Sequence, residues 1–132
     1  MVQDEFGKVF LIKTSDRDFG VQSLLSQFDL SDYSGKDVAL KANFNSSDPF
    51  PASTHLDTLS SLVTRLKEAN IGDLVLAERS GMGDTRRVLE QMGVLTLSEK
   101  LGFKIVILNE ETKEQWAKID DGELHWLRGF YI

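Results

Sequence analysis

Apolar and polar positions along the chain fall into two kinds of run, and each kind predicts an element. Lys8–Thr14 (KVFLIKT), Asp37–Ala42 (DVALKA), Asp73–Ala77 (DLVLA) and Lys104–Leu108 (KIVIL) are short, largely apolar and rich in β-formers, and read as strands. Between them, apolar residues recur near helical spacing. Phe19, Val21, Leu24, Leu25 and Phe28 follow Asp16, a candidate N-cap, and predict a helix to about Phe28. Leu56, Leu59, Leu62, Val63 and Leu66 form the clearest stripe. Thr54-His55-Leu56-Asp57 opens it like a capping box, with Asp in place of Glu or Gln, and Asn70-Ile71-Gly72 ends it. A further helix is expected from Asp84 to Met92, and a short one around Leu97–Leu101. Glu110–Glu123 is polar and irregular, and His125–Ile132 reads as extended.

Strands alternating with helices imply βαβ units, because parallel strands need a crossover of about a dozen residues or more. Asp73–Ala77 is apolar at successive positions, as expected of a strand covered on both faces. The expectation is a single α/β domain over residues 1–132, a Rossmann-like three-layer sandwich with a mostly parallel sheet of four to five strands.

Composition narrows the chemistry. A chain of 132 residues with 41% apolar and 27% charged residues suits one globular domain. With no cysteine, it has no disulfide, no thiolate nucleophile and no all-cysteine metal or iron–sulfur site of its own. Two histidines, His55 and His125, are too few for a histidine-rich metal centre, so no metal site is expected. A net charge of −6 argues against non-specific nucleic-acid binding. No apolar run approaches the ~20 residues of a membrane span, and Met1–Glu5 lacks the features of a secretory signal, which leaves a cytoplasmic location as the default expectation. The apolar ending Trp126-Leu127-Arg128-Gly129-Phe130-Tyr131-Ile132 is expected to continue into a missing C-terminal domain, to contact a second copy, or to dock as a final strand at a sheet edge.

In open parallel sheets, ligands bind beyond the carboxyl ends of the strands. Two segments fall there. The first runs from Lys41 to Thr54, far longer than the usual ~2–6 residues of such connections. Lys41 interrupts an apolar strand, and Asn43, Asn45, Ser46 and Ser47 offer donors and acceptors. Thr54 and the first N–H groups of the next helix can meet an anion, with His55 beside them. The alternative is a rigid Asp48-Pro49/Pro51 turn with Thr54 acting only as a cap. The second segment is Glu78-Arg79-Ser80-Gly81-Met82-Gly83-Asp84-Thr85-Arg86-Arg87. Gly81 and Gly83 allow close backbone approach, Arg79, Arg86 and Arg87 suit phosphate or carboxylate, and Glu78 suits hydroxyls. The alternative is a tight turn capped by Asp84. No third glycine completes a dinucleotide fingerprint, no Walker lysine follows, and Ser80 has no nucleophile elbow.

Val38–His55 (VALKANFNSSDPFPASTH) and Glu78–Arg86 (ERSGMGDTR), with Gly93-Val94 and Leu101-Gly102-Phe103, resemble the family defined by domain of unknown function 362. Ala42 stands where that family commonly has proline. The resemblance implies the N-terminal portion of a longer protein, a shared site region at the two loops, and no particular reaction. Some members carry ferredoxin-like cysteine-rich segments, so an iron–sulfur cluster is expected only in a part beyond this chain.

Three functional readings remain open. The first is a domain binding a small anionic ligand through Lys41, Asn43, Asn45, Arg79, Ser80 and Arg86, as part of a larger enzyme or redox-linked protein. The second is a structural or interaction module docking through Trp126–Ile132. The third is a self-contained enzyme using His55 or Glu78 as base, for which no acid/base pair assembles from the sequence.

Overall fold

The computed structural model of the chain describes residues 7–117. Its three strands, β1 (Val38–Leu40), β2 (Leu74–Glu78) and β3 (Lys104–Ile107), lie parallel in one sheet in the order β1-β2-β3. Helix α1 spans Arg17–Leu25 and precedes the sheet, α2 (Leu56–Glu68) links β1 to β2, and α3 (Thr85–Gln91) with α4 (Val94–Leu101) links β2 to β3. Both links are the long crossovers that parallel pairing requires.

Register decides which side chains share a face. Leu40 lies opposite Leu76, Leu76 opposite Ile105, and Glu78 opposite Ile107. Alternation then sets Val38, Leu40, Leu74, Leu76, Ile105 and Ile107 on one side. They pack with Leu59, Val63 and Leu66 of α2, Val88 and Leu89 of α3, and Val94 of α4. Ala39, Val75, Ala77 and Val106 point the other way and lie outside that core.

Local chemistry explains the helix ends. Asp16 and Asp84 cap α1 and α3 as expected, accepting from the Phe19 and Arg87 amides. At α2 the cap is His55, whose Nδ1 accepts from the Asp57 N–H at 3.1 Å; the Thr54 hydroxyl is engaged elsewhere, so the expected capping box does not form. Asn70 takes a left-handed φ of 55° after α2. Gly93, at φ 75°, separates α3 from α4, which therefore starts earlier than the apolar pattern alone predicts. The carbonyls at the end of α4 receive Lys67 Nζ, with Gly102 O at 2.8 Å.

The expected first strand is the main difference. Lys8–Thr14 carries no strand pairing among the described residues, and Val9 and Leu11 are 91% and 95% exposed. Strand propensity reports how a residue fits a pleated surface, and it acts only where a neighbouring strand supplies one. The described sheet accordingly has three strands against the four to five expected. Helix α1 also stops at Leu25, the chain closing through tighter turns from Gln27 to Leu24 and from Phe28 to Leu25. The expected C-terminal segment Trp126–Ile132, with His125, lies outside the described residues.

Candidate functional site

Strands β1 and β2 end side by side, and both polar loops leave from that edge. The first loop is closed on itself. Asn43 N–H donates to Thr54 Oγ1 and Thr54 N–H returns a bond to Asn43 O, each at 2.9 Å. Asn43 Nδ2 reaches Ala52 O at 3.0 Å, Ser53 Oγ donates to Ser46 O at 3.2 Å, and Ser46 Oγ to Asp48 Oδ2 at 2.7 Å. The Phe50–Pro51 peptide within it is cis. Phe44 is fully buried and anchors the loop in the core.

The second loop is bonded to the first. Ser80 Oγ donates to Phe44 O at 2.7 Å, Gly81 N–H to Asn45 Oδ1 at 2.8 Å, and Met82 N–H to Asn45 O at 3.0 Å. Gly83, at φ 89°, turns the chain into α3. Ser80 N–H is taken by the buried Thr85 Oγ1 at 3.0 Å, and that hydroxyl donates onward to Asn109 Oδ1 at 2.7 Å. Thr85 and Asn109 were not singled out by sequence. Position 85 follows a recognisable N-cap, but no local pattern signals Asn109, which lies 24 positions away.

Beneath the joined loops sits an ion pair. Glu78, fully buried at the end of β2, accepts from Lys41 Nζ and from the Arg79 N–H at 2.9 Å through the same oxygen, Oε1. Its Oε2 has no hydrogen-bond partner among the described residues. Lys41 Nζ also donates to Ala42 O at 2.6 Å, and its side chain is 58% exposed.

His55 borders the first loop, with Phe50 edge-on to its ring at 5.8 Å and the Arg17 guanidinium 4.8 Å over Phe50. Because Nδ1 accepts the Asp57 N–H, the neutral ring carries its proton on Nε2, which is then a donor. Nδ1 also lies 3.5 Å from Asp57 Oδ2. The same nitrogen does not accept and donate at once, and the shorter contact with the cap geometry identifies it as the acceptor. A hollow of about 270 Å³ is lined by Asn43, Phe50, Pro51, Ser53, Thr54, His55 and Thr58. A smaller one of about 140 Å³ runs past Lys41 and shares Thr54 and Thr58 with it.

Of the residues expected at a site, Lys41 meets Glu78, Asn43 meets Thr54, and Asn45 meets Gly81, while His55 borders the larger hollow. Arg86 stands apart from these contacts. Its guanidinium forks onto Glu110, with Nε–Oε1 at 3.1 Å and Nη2–Oε2 at 2.5 Å. That hydrogen bond, and then the carboxylate charge, raise the Arg86 guanidinium above its ordinary value. No group of three His, Asp or Glu side chains suited to a metal occurs among the described residues. A chain without cysteine also does not fit an iron–sulfur cluster.

No helix among the described residues is long and apolar enough to cross a membrane. No curated protein and no solved structure matches the chain. Residues 38–132 match the family model described as domain of unknown function (DUF362), a span that takes in both loops and the whole sheet, and the chain belongs to that family.

Proposed function

We propose that the joined loops bind a small anionic molecule in the hollows beside Lys41, Thr54, Thr58 and His55, with Arg79 at the rim. The observation that carries this reading is the direct bonding of the two loops to one another over the Lys41–Glu78 pair. Donors braced in place by such bonds are preorganised and bind with less ordering entropy to lose. The donors present are a lysine ammonium, the Thr54 and Thr58 hydroxyls and a histidine Nε2–H, all suited to phosphate or carboxylate. Asn43, Asn45, Ser46, Ser80, Gly81 and Gly83 hold the rim in shape, and Arg86, held on Glu110, stands outside the hollows.

The setting we propose is a cytoplasmic protein larger than this chain, enzymatic or redox-linked, in which the three-stranded sheet is completed to a four- to five-stranded, three-layer sandwich. The apolar residues on both faces of β2 support a layer over each face of the sheet. A thermal-shift screen of nucleotides, phosphates and small carboxylates tests the binding reading. A ligand at 100 times its Kd adds ~2.7 kcal/mol of stability, and Lys41→Met or Thr54→Val should reduce the response. A screen with no stabilising anion contradicts it.

A second reading, an interaction module, is favoured by the nearly full exposure of Val9 and Leu11. Light scattering that shows a monomer at high concentration counts against a self-association surface there.

A further inference from the structure

We infer that the anion is a hydroxylated one, and that its hydroxyl is read by the Lys41–Glu78 pair; the inference rests on the anion-binding reading above. A carboxylate has about four lone-pair positions. Glu78, with no exposed surface, uses one oxygen for both its partners and leaves Oε2 with none among the described residues. A buried, unmet acceptor is destabilising and rare enough in folded proteins to require a reason.

Lys41 supplies the complementary surplus. Its ammonium has three donors. One goes to Glu78 and one to Ala42 O, and the side chain is more than half exposed. The pair thus has a donor to spare beside an acceptor in need. A hydroxyl answers both, because it accepts from the ammonium and donates to the carboxylate. The exposed lysine is the half that can swing aside to admit it, since Glu78 is held by the core and by the Arg79 amide.

Two adjoining hollows extend the match. Lys41 lines the smaller one, and the Thr54 and Thr58 that it shares with the larger connect it to the His55 donor. Glu78 lines neither hollow, so a ligand with its charged group among Thr54, Thr58 and His55 and its hydroxyl at Lys41 spans both and meets the carboxylate as the lysine swings aside. Short hydroxy acids and polyol or sugar phosphates have that form.

Matched pairs that differ by hydroxyl groups test this on the full chain: lactate against propionate, and glycerol 3-phosphate against propyl phosphate, by titration calorimetry. The expected result is affinity about tenfold or more higher for the hydroxylated member, because a site built around a hydroxyl discriminates against its absence. In Glu78→Met, of similar size and without a hydrogen-bonding carboxylate, the advantage should fall to about twofold or less while the anions still bind. If that variant does not fold, the wild-type comparison decides alone. Equal affinities within each pair overturn the inference and leave the anion reading standing. An advantage that survives in Glu78→Met also overturns it. Binding of none of the four compounds overturns the anion reading itself.

Discussion

The amide of Gly81 donates to Asn45 Oδ1 at 2.8 Å, and a Cβ on residue 81 would lie 2.3 Å from that same oxygen. The close approach in this one of the three bonds that join the loops therefore relies on position 81 having no side chain. Gly81→Ala should push the Asn45 side chain aside and remove that one bond, lowering stability by about 1 kcal/mol. Asn45→Ala alone removes one exposed hydrogen bond, worth about 1 kcal/mol. The two changes should combine to less than their sum in urea titrations, since each removes the same contact. Additive effects would show that the loops are not coupled there.

The Lys41–Glu78 pair is asymmetric, one half exposed and the other fully buried. Removing the exposed half leaves a buried charge, so Lys41→Met should destabilise by on the order of 3 kcal/mol. The double variant Lys41→Met, Glu78→Met should recover most of that loss, because an apolar pair in that place has no charge to desolvate. Urea midpoints of the three variants check the order. Equal stability of Lys41→Met and the wild type would mean that Glu78 is not held as a buried ion.

His55 should behave as a helix cap. His55→Ala should lower stability by about 1 kcal/mol, and His55→Asn should retain most of it, since asparagine accepts from the first turn equally well. Thermal melts separate the two. Matching losses for both variants would assign the role to ring packing on Phe50 instead.

The exposed Lys104–Asp73 pair carries a pH signature. The Asp73 carboxylate, by hydrogen bond and then by charge, holds the Lys104 ammonium above the ordinary lysine range. A folded-state value above the unfolded one contributes stability that is complete below the ordinary lysine range and disappears as pH rises through the folded value. Asp73→Asn should flatten stability across that alkaline window and change nothing in its pH dependence near neutrality. Urea melts between neutral and strongly alkaline pH measure it. An unchanged alkaline slope in Asp73→Asn contradicts the pairing.

Sequence carried the local decisions well and the non-local ones poorly. The stripe from Leu56 to Leu66, the caps Asp16 and Asp84, and three of the four expected strands are all present in the structure. Each depends on spacing or on one side chain near its own backbone. Lys8–Thr14 failed because its strand-forming residues need a partner strand, and no local pattern tells whether one is within reach. Thr54 and His55 both carry an acceptor at the right place. Only the reciprocal bond between Asn43 and Thr54 decides which of them caps α2.

The loops themselves were legible as polar segments between a strand and a helix, the first of them long, and the family pattern marked the same residues. Their joining was not. Asn45 and Gly81 lie 36 positions apart, as do Phe44 and Ser80. Phe44, one apolar residue inside a polar run, gave no sign that it anchors the loop in the core. The partner of Arg86 was equally hidden, because Glu110 sits in a stretch that reads as solvated surface.

The most direct test of a shared site is amide chemical-shift mapping by NMR, with glycerol 3-phosphate titrated into the full chain. The account predicts saturable shifts that rise together at Asn43, Thr54, His55, Ser80 and Gly81 with a single Kd. Shifts confined to one loop, or none at either loop up to high concentration in a well-dispersed spectrum, would contradict it.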